Sequence, residues 1–243
     1  LWVVTRDVHR SIGGPAAPYA ATCVGLARSA AREHPAWEVV IADIDGAQPS
    51  PRNVDLLLRE PIPFGEEVRI EGTRLLVRAL RPVTVEDAHR SPFRPQGVYL
   101  IVGGAGGVGS LLARHLAKAC GAKVALLGRA AVGASHRELL DTIRAEGGEG
   151  LYIRCDVTDR EQVRRAIETT KNEFGRLDGV IHSAMVLRDR TLRSMTDGDL
   201  RDVFAPKVAG LVALADALRG ESLDFLLLMS SAQTFIGAAG QGN

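Results

Sequence analysis

The 243 residues carry 30 Lys and Arg against 29 Asp and Glu, with 46% hydrophobic residues. Such a balance leaves no electrostatic footprint for nucleic acid or an acidic membrane surface, and no apolar run approaches the roughly 20 residues of a membrane span. Cys23, Cys120 and Cys155 are scattered without metal-ligand spacing and are read as apolar filling in a reducing compartment. The expectation is a soluble, cytoplasmic α/β protein. Its first residues are strand-like, with neither an initiator Met nor a signal peptide, and read as cut from something longer.

Residues 1–80 read as a small α/β unit. Leu1–Thr5 predicts a buried strand, Gly13, Gly14 and Pro15 a turn, and Tyr19–Glu33 a helix with Val24, Ala27 and Ala31 on one side, stopped near Pro35. A second strand follows at Trp37–Ile41. A short helix at Val54–Arg59 is predicted with Asn53 as its cap and Pro61 beyond its end. Val68–Ile70 and Leu75–Leu80, around Glu71-Gly72-Thr73, predict a hairpin. No residue here has the character of a chemical site, and His9 and His34 are read as solvated.

Pro82, Pro92 and Pro95 among charges mark residues 81–97 as a linker, which divides the chain into domains at 1–90 and 91–243. Val98–Val102 then predicts a buried strand running into a glycine cluster. Ser110–Cys120 has helical spacing, with Leu111, Leu112, His115 and Leu116 on one side. Gly104, Gly106 and Gly109 fit G-x-G-x-x-G at a strand-to-helix turn. There the backbone must turn tightly, and a pyrophosphate must approach main-chain N–H groups at a helix N-terminus.

Regular alternation continues. Lys123–Leu127 predicts a strand, and Ser135 to Glu138 is a capping box for a helix to about Glu146. Leu151–Cys155 predicts a strand, and Thr158 to Glu161 a second capping box for a helix ending near Phe174 and Gly175. Leu177–His182 predicts a strand, Thr196 caps a long helix to about Leu218, and Leu223–Met229 is the fifth strand. Five parallel strands with helical crossovers make a doubly wound, Rossmann-type sheet, whose ligands lie beyond the carboxyl ends of the strands.

Those strand ends carry the candidate chemistry. Arg129 ends the second strand, where a carboxylate would favour NAD and an arginine can pair with the 2′-phosphate of NADP. Asp156, after the third strand, could bond an adenine amino group or help cap the next helix. His182, Ser183 and Ala184 end the fourth strand, and the small residues leave room for a nicotinamide ring; His182 is read as structural. Ser231 follows the fifth strand, and Lys207 lies midway along the preceding helix. A hydroxyl and an ammonium together could polarise a carbonyl and support a proton donor.

In this order, Val102–Gly109, Leu127–Arg129, Cys155–Asp159, Leu177–Ala184, Pro206–Gly210, Ser230 and Ser231, and Gly240–Gly242 resemble the ketoreductase domains of modular polyketide synthases, in the short-chain dehydrogenase/reductase superfamily. Gly25–Pro35 is similar to a helix of that family's structural subdomain, a smaller, degenerate, cofactor-free Rossmann-like lobe. The resemblance implies NADPH held by Gly104, Gly106, Gly107, Val108, Gly109, Arg129, Asp156, Val157, Ser183 and Ala184. It also implies Ser231 on the substrate carbonyl and Lys207 in the proton relay. The substrate it implies is a β-ketoacyl chain on the phosphopantetheine of an acyl carrier protein, with neighbouring synthase domains as further partners.

The sequence departs from the family pattern at Val102, where a threonine is common, and at Ala184-Met185 in place of Ala-Gly. The family's proton-donating tyrosine would fall immediately after Asn243. The expectation is therefore a catalytic subdomain lacking its C-terminal part, inactive as this fragment. Asp189 matches the last aspartate of a Leu-Asp-Asp motif, with Arg188 in the middle, and the tryptophan that marks A-type enzymes would fall at Ile236. The resemblance implies B-type stereochemistry. Two other readings stand beside it: a catalytically silent structural domain, and a free-standing short-chain reductase of a soluble ketone.

Overall fold

The computed structural model describes residues 1–9, 17–47, 51–62, 64–84 and 91–242. The predicted turn at Gly13–Pro15 and residues 85–90 of the predicted linker lie outside these. The chain forms two compact units, one made of Leu1–Thr84, Arg188–Leu200 and Ser231–Asn243, the other of Val85–Leu187 and Arg201–Ser230.

In the first unit, β1 (Trp2–Arg6), β2 (Val40–Ile44) and β3 (Glu67–Glu71) are parallel, and β4 (Arg74–Val77) returns antiparallel to β3. The two-residue β3–β4 connection needs a left-handed residue first, and Gly72 supplies it at φ +59°. Helix α1 (Ala21–Glu33) packs Val24 and Ala27 on Val39 and Ile41, while α2 (Pro51–Arg59) sets Leu57 among Ala42, Val68 and Ile70. The second strand begins three residues later than predicted, since Trp37 stacks on His34 at 4.2 Å instead of joining the sheet. Asn53 is not a cap. Helix α2 already starts at Pro51, a residue preorganised for a first helical turn, and Asn53 is buried inside it.

Charge is buried in this unit beside both the carboxyl end of β2 and the start of β3. Asp43, fully buried, accepts the Thr5 hydroxyl at 3.0 Å, the Val8 and His9 N–H groups at 3.0 and 3.1 Å, and the Arg69 guanidinium at 2.6 Å. Buried Glu67 accepts His9 and Arg28. His9 is thus paired and not merely solvated. Arg28 also donates to the Thr234 carbonyl, and Arg78 donates to the Phe235 carbonyl with its guanidinium over the Phe235 ring. Cys23 is exposed and fills no apolar space, whereas Cys155 does.

The second unit holds the five-stranded parallel sheet, with β5 (Val98–Val102), β6 (Lys123–Gly128), β7 (Glu149–Arg154), β8 (Gly179–His182) and β9 (Phe225–Leu228) in the order β7-β6-β5-β8-β9. Strand alternation sorts its apolar residues onto two faces. Tyr99, Ile101, Val124, Leu126 and Ile181 pack under α3 (Gly107–Cys120) and α4 (Ala134–Ala145); Leu100, Val102, Ala125, Leu127 and Val180 pack under α5 (Arg160–Phe174) and the helix of Ala213 and Leu214. Both faces are thus covered over β5, β6 and β8, as parallel sheets require, while Leu226, Leu227 and Leu228 of the edge strand β9 are exposed. The α3 contact is made by Ala113, Leu116 and Ala117, while Leu111 is exposed. Two alanines there let the helix lie closer than a leucine face would.

The helix caps differ from expectation at two places. Gly133, not Ser135, precedes α4, with His136 Nδ1 accepting the Gly133 N–H at 3.1 Å. Asp159, not Thr158, caps α5 by accepting from Glu161 and Gln162 at 3.0 and 3.1 Å. A carboxylate is favoured over a hydroxyl at the positive end of a helix. Thr196 does cap its helix, sharing a reciprocal box with Asp199. That helix is not uniform: α6 (Asp197–Phe204) passes through a π turn at Ala205–Ala209 into α7 (Gly210–Ala217). A four-residue helix, α8 (Gln233–Ile236), follows Ser231.

Candidate active site

A pocket of about 280 Å³ opens at the carboxyl ends of β5, β6, β7 and β8, lined by the glycine turn, Arg129, Cys155 to Thr158, Ser183 to Val186, and Ala205 with Pro206. This is the crevice where the strand order reverses on either side of β5. The backbone explains its shape. Gly103 holds φ +77°, and a Cβ there would sit 2.7 Å from the Ala184 Cα. A Cβ on Gly109 would fall 2.7 Å from the Gly104 Cα, so only glycine lets α3 start this close to β5. Gly107, by contrast, faces open space: a Cβ there would have nothing within 4 Å.

Helix α3 begins at Gly107, and Gly106 before it has no side chain to cap it. Its first-turn N–H groups therefore remain available to an anion, and the helix dipole adds to their pull. Together with the glycine cradle, this fits the diphosphate of a dinucleotide. Arg129, exposed at the pocket rim, has its own carbonyl taken by Arg154 Nε at 3.2 Å, which brings a second guanidinium to that corner. Arg154 did not figure among the sequence candidates; its position at the end of β7 was the available signal.

Of the expected site residues, Gly106, Gly107, Val108, Gly109, Arg129, Asp156, Val157, Ser183 and Ala184 all line the pocket. Gly104 does not. A Cβ there would meet Leu126 Cδ2 at 2.7 Å, so its smallness serves packing between β5 and β6. Asp156 turns one carboxylate oxygen onto the Thr158 N–H and hydroxyl, at 3.0 and 2.8 Å, while its own N–H goes to Gln162. Ser183 donates its hydroxyl to the Val102 carbonyl at 3.1 Å, which ties β8 to the end of β5. Burial raises the Cys155 thiol to about 11, so it stays protonated as an apolar wall.

Lys207 follows the lining residue Pro206 and donates Nζ to the Met229 carbonyl at 3.1 Å. Burial holds its pKa below the ordinary lysine value. Ser231 lies in the first unit, exposed, with Oγ accepting the Gln233 N–H at 3.2 Å. Asp189, in the same unit, accepts the Gln241 side-chain amide at 2.9 Å. Among the described residues no cluster of metal ligands occurs, and no helix is long and apolar enough to cross a membrane.

A family model described as the KR domain matches residues 97–243. The chain belongs to this family, the ketoreductase domains of polyketide synthases. KR domains are oxidoreductases of the short-chain dehydrogenase/reductase type and use a nicotinamide cofactor. Polyketide synthase ThaG of Burkholderia thailandensis is 37% identical over 232 residues, which is 95% of this chain and 4% of ThaG. A phenolphthiocerol/phthiocerol polyketide synthase subunit of Mycobacterium tuberculosis is 30% identical over 246 residues, covering 99% of this chain and 13% of the subunit. The KR chain thus spans a small fraction of these relatives. Among solved structures, a ketoreductase domain from the bacillaene assembly line superposes with TM-score 0.81 at 28% identity, over 99% of this chain and 56% of that one. A-type ketoreductases from a modular polyketide synthase give 0.83 at 27%, over 99% and 52%.

Proposed function

We propose that this KR domain reduces a β-ketoacyl group, carried on the phosphopantetheine of an acyl carrier protein, to the β-hydroxyacyl product in a multidomain polyketide synthase, using NADPH. The observation that carries the choice of cofactor is Arg129 at the rim of a pocket whose floor is an uncapped helix N-terminus. When bound, NADPH supplies the hydride. The α3 N–H groups and the glycine turn hold its diphosphate, and Arg129 pairs with the 2′-phosphate through a charge-assisted contact that a guanidinium can make with two N–H groups at once. Ser183, Ala184 and Val157 shape the wall for the nicotinamide end.

Lys207 and Ser231 act on the substrate side. Ser231 donates a hydrogen bond to the ketone oxygen as negative charge develops there, and Lys207 lends positive charge to the group that protonates it. The soluble, cytoplasmic setting, the synthase neighbours and the carrier protein belong to the same proposal. Retention of Ser231, Lys207 and the glycine turn together favours an active domain over a silent one.

Two experiments test this reading. Arg129→Ala should weaken NADPH on the order of ten- to a hundredfold in a fluorescence titration while leaving NADH nearly unchanged; equal losses for both cofactors would overturn the assignment. The reading also includes B-type facial selectivity, resting on Asp189. Chiral chromatography of the reduced carrier-bound product should find a predominantly D-configured alcohol, and a predominantly L-configured one would refute it.

A further inference from the structure

Deep in the second unit, His182 is a polar side chain only 3% exposed, at the end of β8, and it does not line the pocket. Its Nε2 lies 2.9 Å from the Pro206 carbonyl oxygen. A carbonyl only accepts, so Nε2 must carry the proton. The reason that carbonyl needs a donor is the π turn. In an α-helix the Gly210 N–H would reach back four residues to Pro206. Here it reaches back five, to Ala205. Proline lacks an N–H and its ring crowds the preceding turn, which accounts for a widened turn at this point. The Pro206 carbonyl is thereby displaced from the helical ladder, and a half-buried carbonyl without a partner is costly. His182 fills the gap.

The circuit closes through Lys207. The backbone carbonyl of His182 accepts the Met229 N–H at 3.0 Å, and the Met229 carbonyl accepts Lys207 Nζ at 3.1 Å. Lys207 is next in the chain to Pro206. One residue of slippage in a helix rotates everything beyond it by about 100°, so the width of this turn sets where the lysine points. We propose that His182 is a positioning residue: its Nε2–H holds the Pro206 carbonyl out of the helical ladder, and this keeps Lys207 aimed at the strand end where the reaction takes place. The catalytic consequence rests on the ketoreductase reading; the positioning itself does not. Burial and the nearby Lys207 charge keep His182 neutral, which suits a single-proton donor.

The test uses the 243-residue chain. Lys207 is one of four lysines, so lysine side-chain labelling gives a resolvable NMR signal, assigned by its loss in Lys207→Arg. His182→Leu keeps apolar volume and removes the donor, whereas His182→Gln keeps a donor at the same reach. In His182→Leu the Lys207 signal should move toward those of exposed lysines and its titration midpoint should rise, and His182→Gln should restore both. An unmoved Lys207 signal in folded His182→Leu, or a Gln variant no closer to wild type than Leu, would overturn the proposal. If His182→Leu does not fold, the wild-type imidazole decides by its ¹⁵N spectrum: an Nε2–H tautomer is expected, and an Nδ1–H tautomer defeats the idea. In the synthase polypeptide, His182→Leu should lower kcat on the order of ten- to a hundredfold with KM for NADPH unchanged, and an unchanged kcat would count against it. If the wild-type synthase shows no NADPH-dependent reduction at all, the functional reading fails, while the NMR arms still decide the role of His182.

Discussion

Each unit has a parallel strand pair whose first strand ends in a loop with backbone N–H groups to satisfy, and the two units meet that need oppositely. After β1, the Val8 and His9 N–H groups are taken by Asp43, a carboxylate of the chain itself at the end of β2. After β5, the N-terminus of α3 is left without a side-chain cap, and glycines keep the space before it clear. One crevice carries its own anion; the other is shaped for an anion from outside. The difference lies in a few side chains, because both sheets have the parallel β–α–β order that places loops at this end.

The largest effect should come from removing that internal anion. Asp43→Ala takes the acceptor from the Thr5 hydroxyl and from the part-buried Val8 and His9 N–H groups, and leaves the Arg69 guanidinium to Glu71 and the His9 carbonyl. Each donor left without its acceptor costs about 1–3 kcal/mol, to be read together as a shift of the urea unfolding midpoint at constant slope. A loss well under about 1 kcal/mol would show the network to be replaceable by water.

Next in size is the opposite manipulation, adding matter to the open crevice. Gly109→Ala pushes a methyl against Gly104 and should cost about 1–3 kcal/mol through overpacking, and it should weaken binding of a nicotinamide cofactor as well. Gly107→Ala meets nothing and should leave thermal stability as it is. Equal destabilisation by the two alanines would break the distinction between a packed and an open face of the turn.

The smallest effect concerns pH. The first unit buries ion pairs, whereas the second buries His182 in neutral form, with a pKa below the ordinary 6.5 because of burial, against the pull of the Pro206 carbonyl. A depressed histidine pKa means that the unfolded chain takes up the proton first. Its contribution is then complete above about pH 6.5 and declines as pH falls toward the folded-state value. Melting curves from pH 8 to 5 should therefore fall less steeply for His182→Gln than for wild type; parallel curves would show that His182 is not buried neutral.

Much of this was legible in the residue order. Apolar runs bounded by glycine and proline located the strands of both sheets to within a few residues, and the Gly103–Gly109 stretch located the pocket, because backbone geometry at a strand-to-helix turn is a local property of the chain. The caps were less legible. Ser135 and Thr158 satisfy the capping pattern, but the caps are Gly133 and Asp159, since which of several nearby residues turns into the helix is settled by packing and charge around it. The apolar side of α3 was legible in part: Leu112 and Leu116 pack as their spacing predicts, but Leu111 faces solvent and Ala113 and Ala117 share the contact.

What the sequence by itself determined is the parallel sheet, its glycine turn, the arginine at the end of its second strand and the family these declare. Only the tertiary structure decided that residues 188–200 and 231–242 pack with the first unit, that Glu67 collects His9 and Arg28, and that His182 answers a carbonyl displaced by a π turn. These are contacts between residues far apart in the chain, formed because buried polar groups must find partners wherever folding brings them. Local pattern carries no trace of such a partner until the fold supplies it.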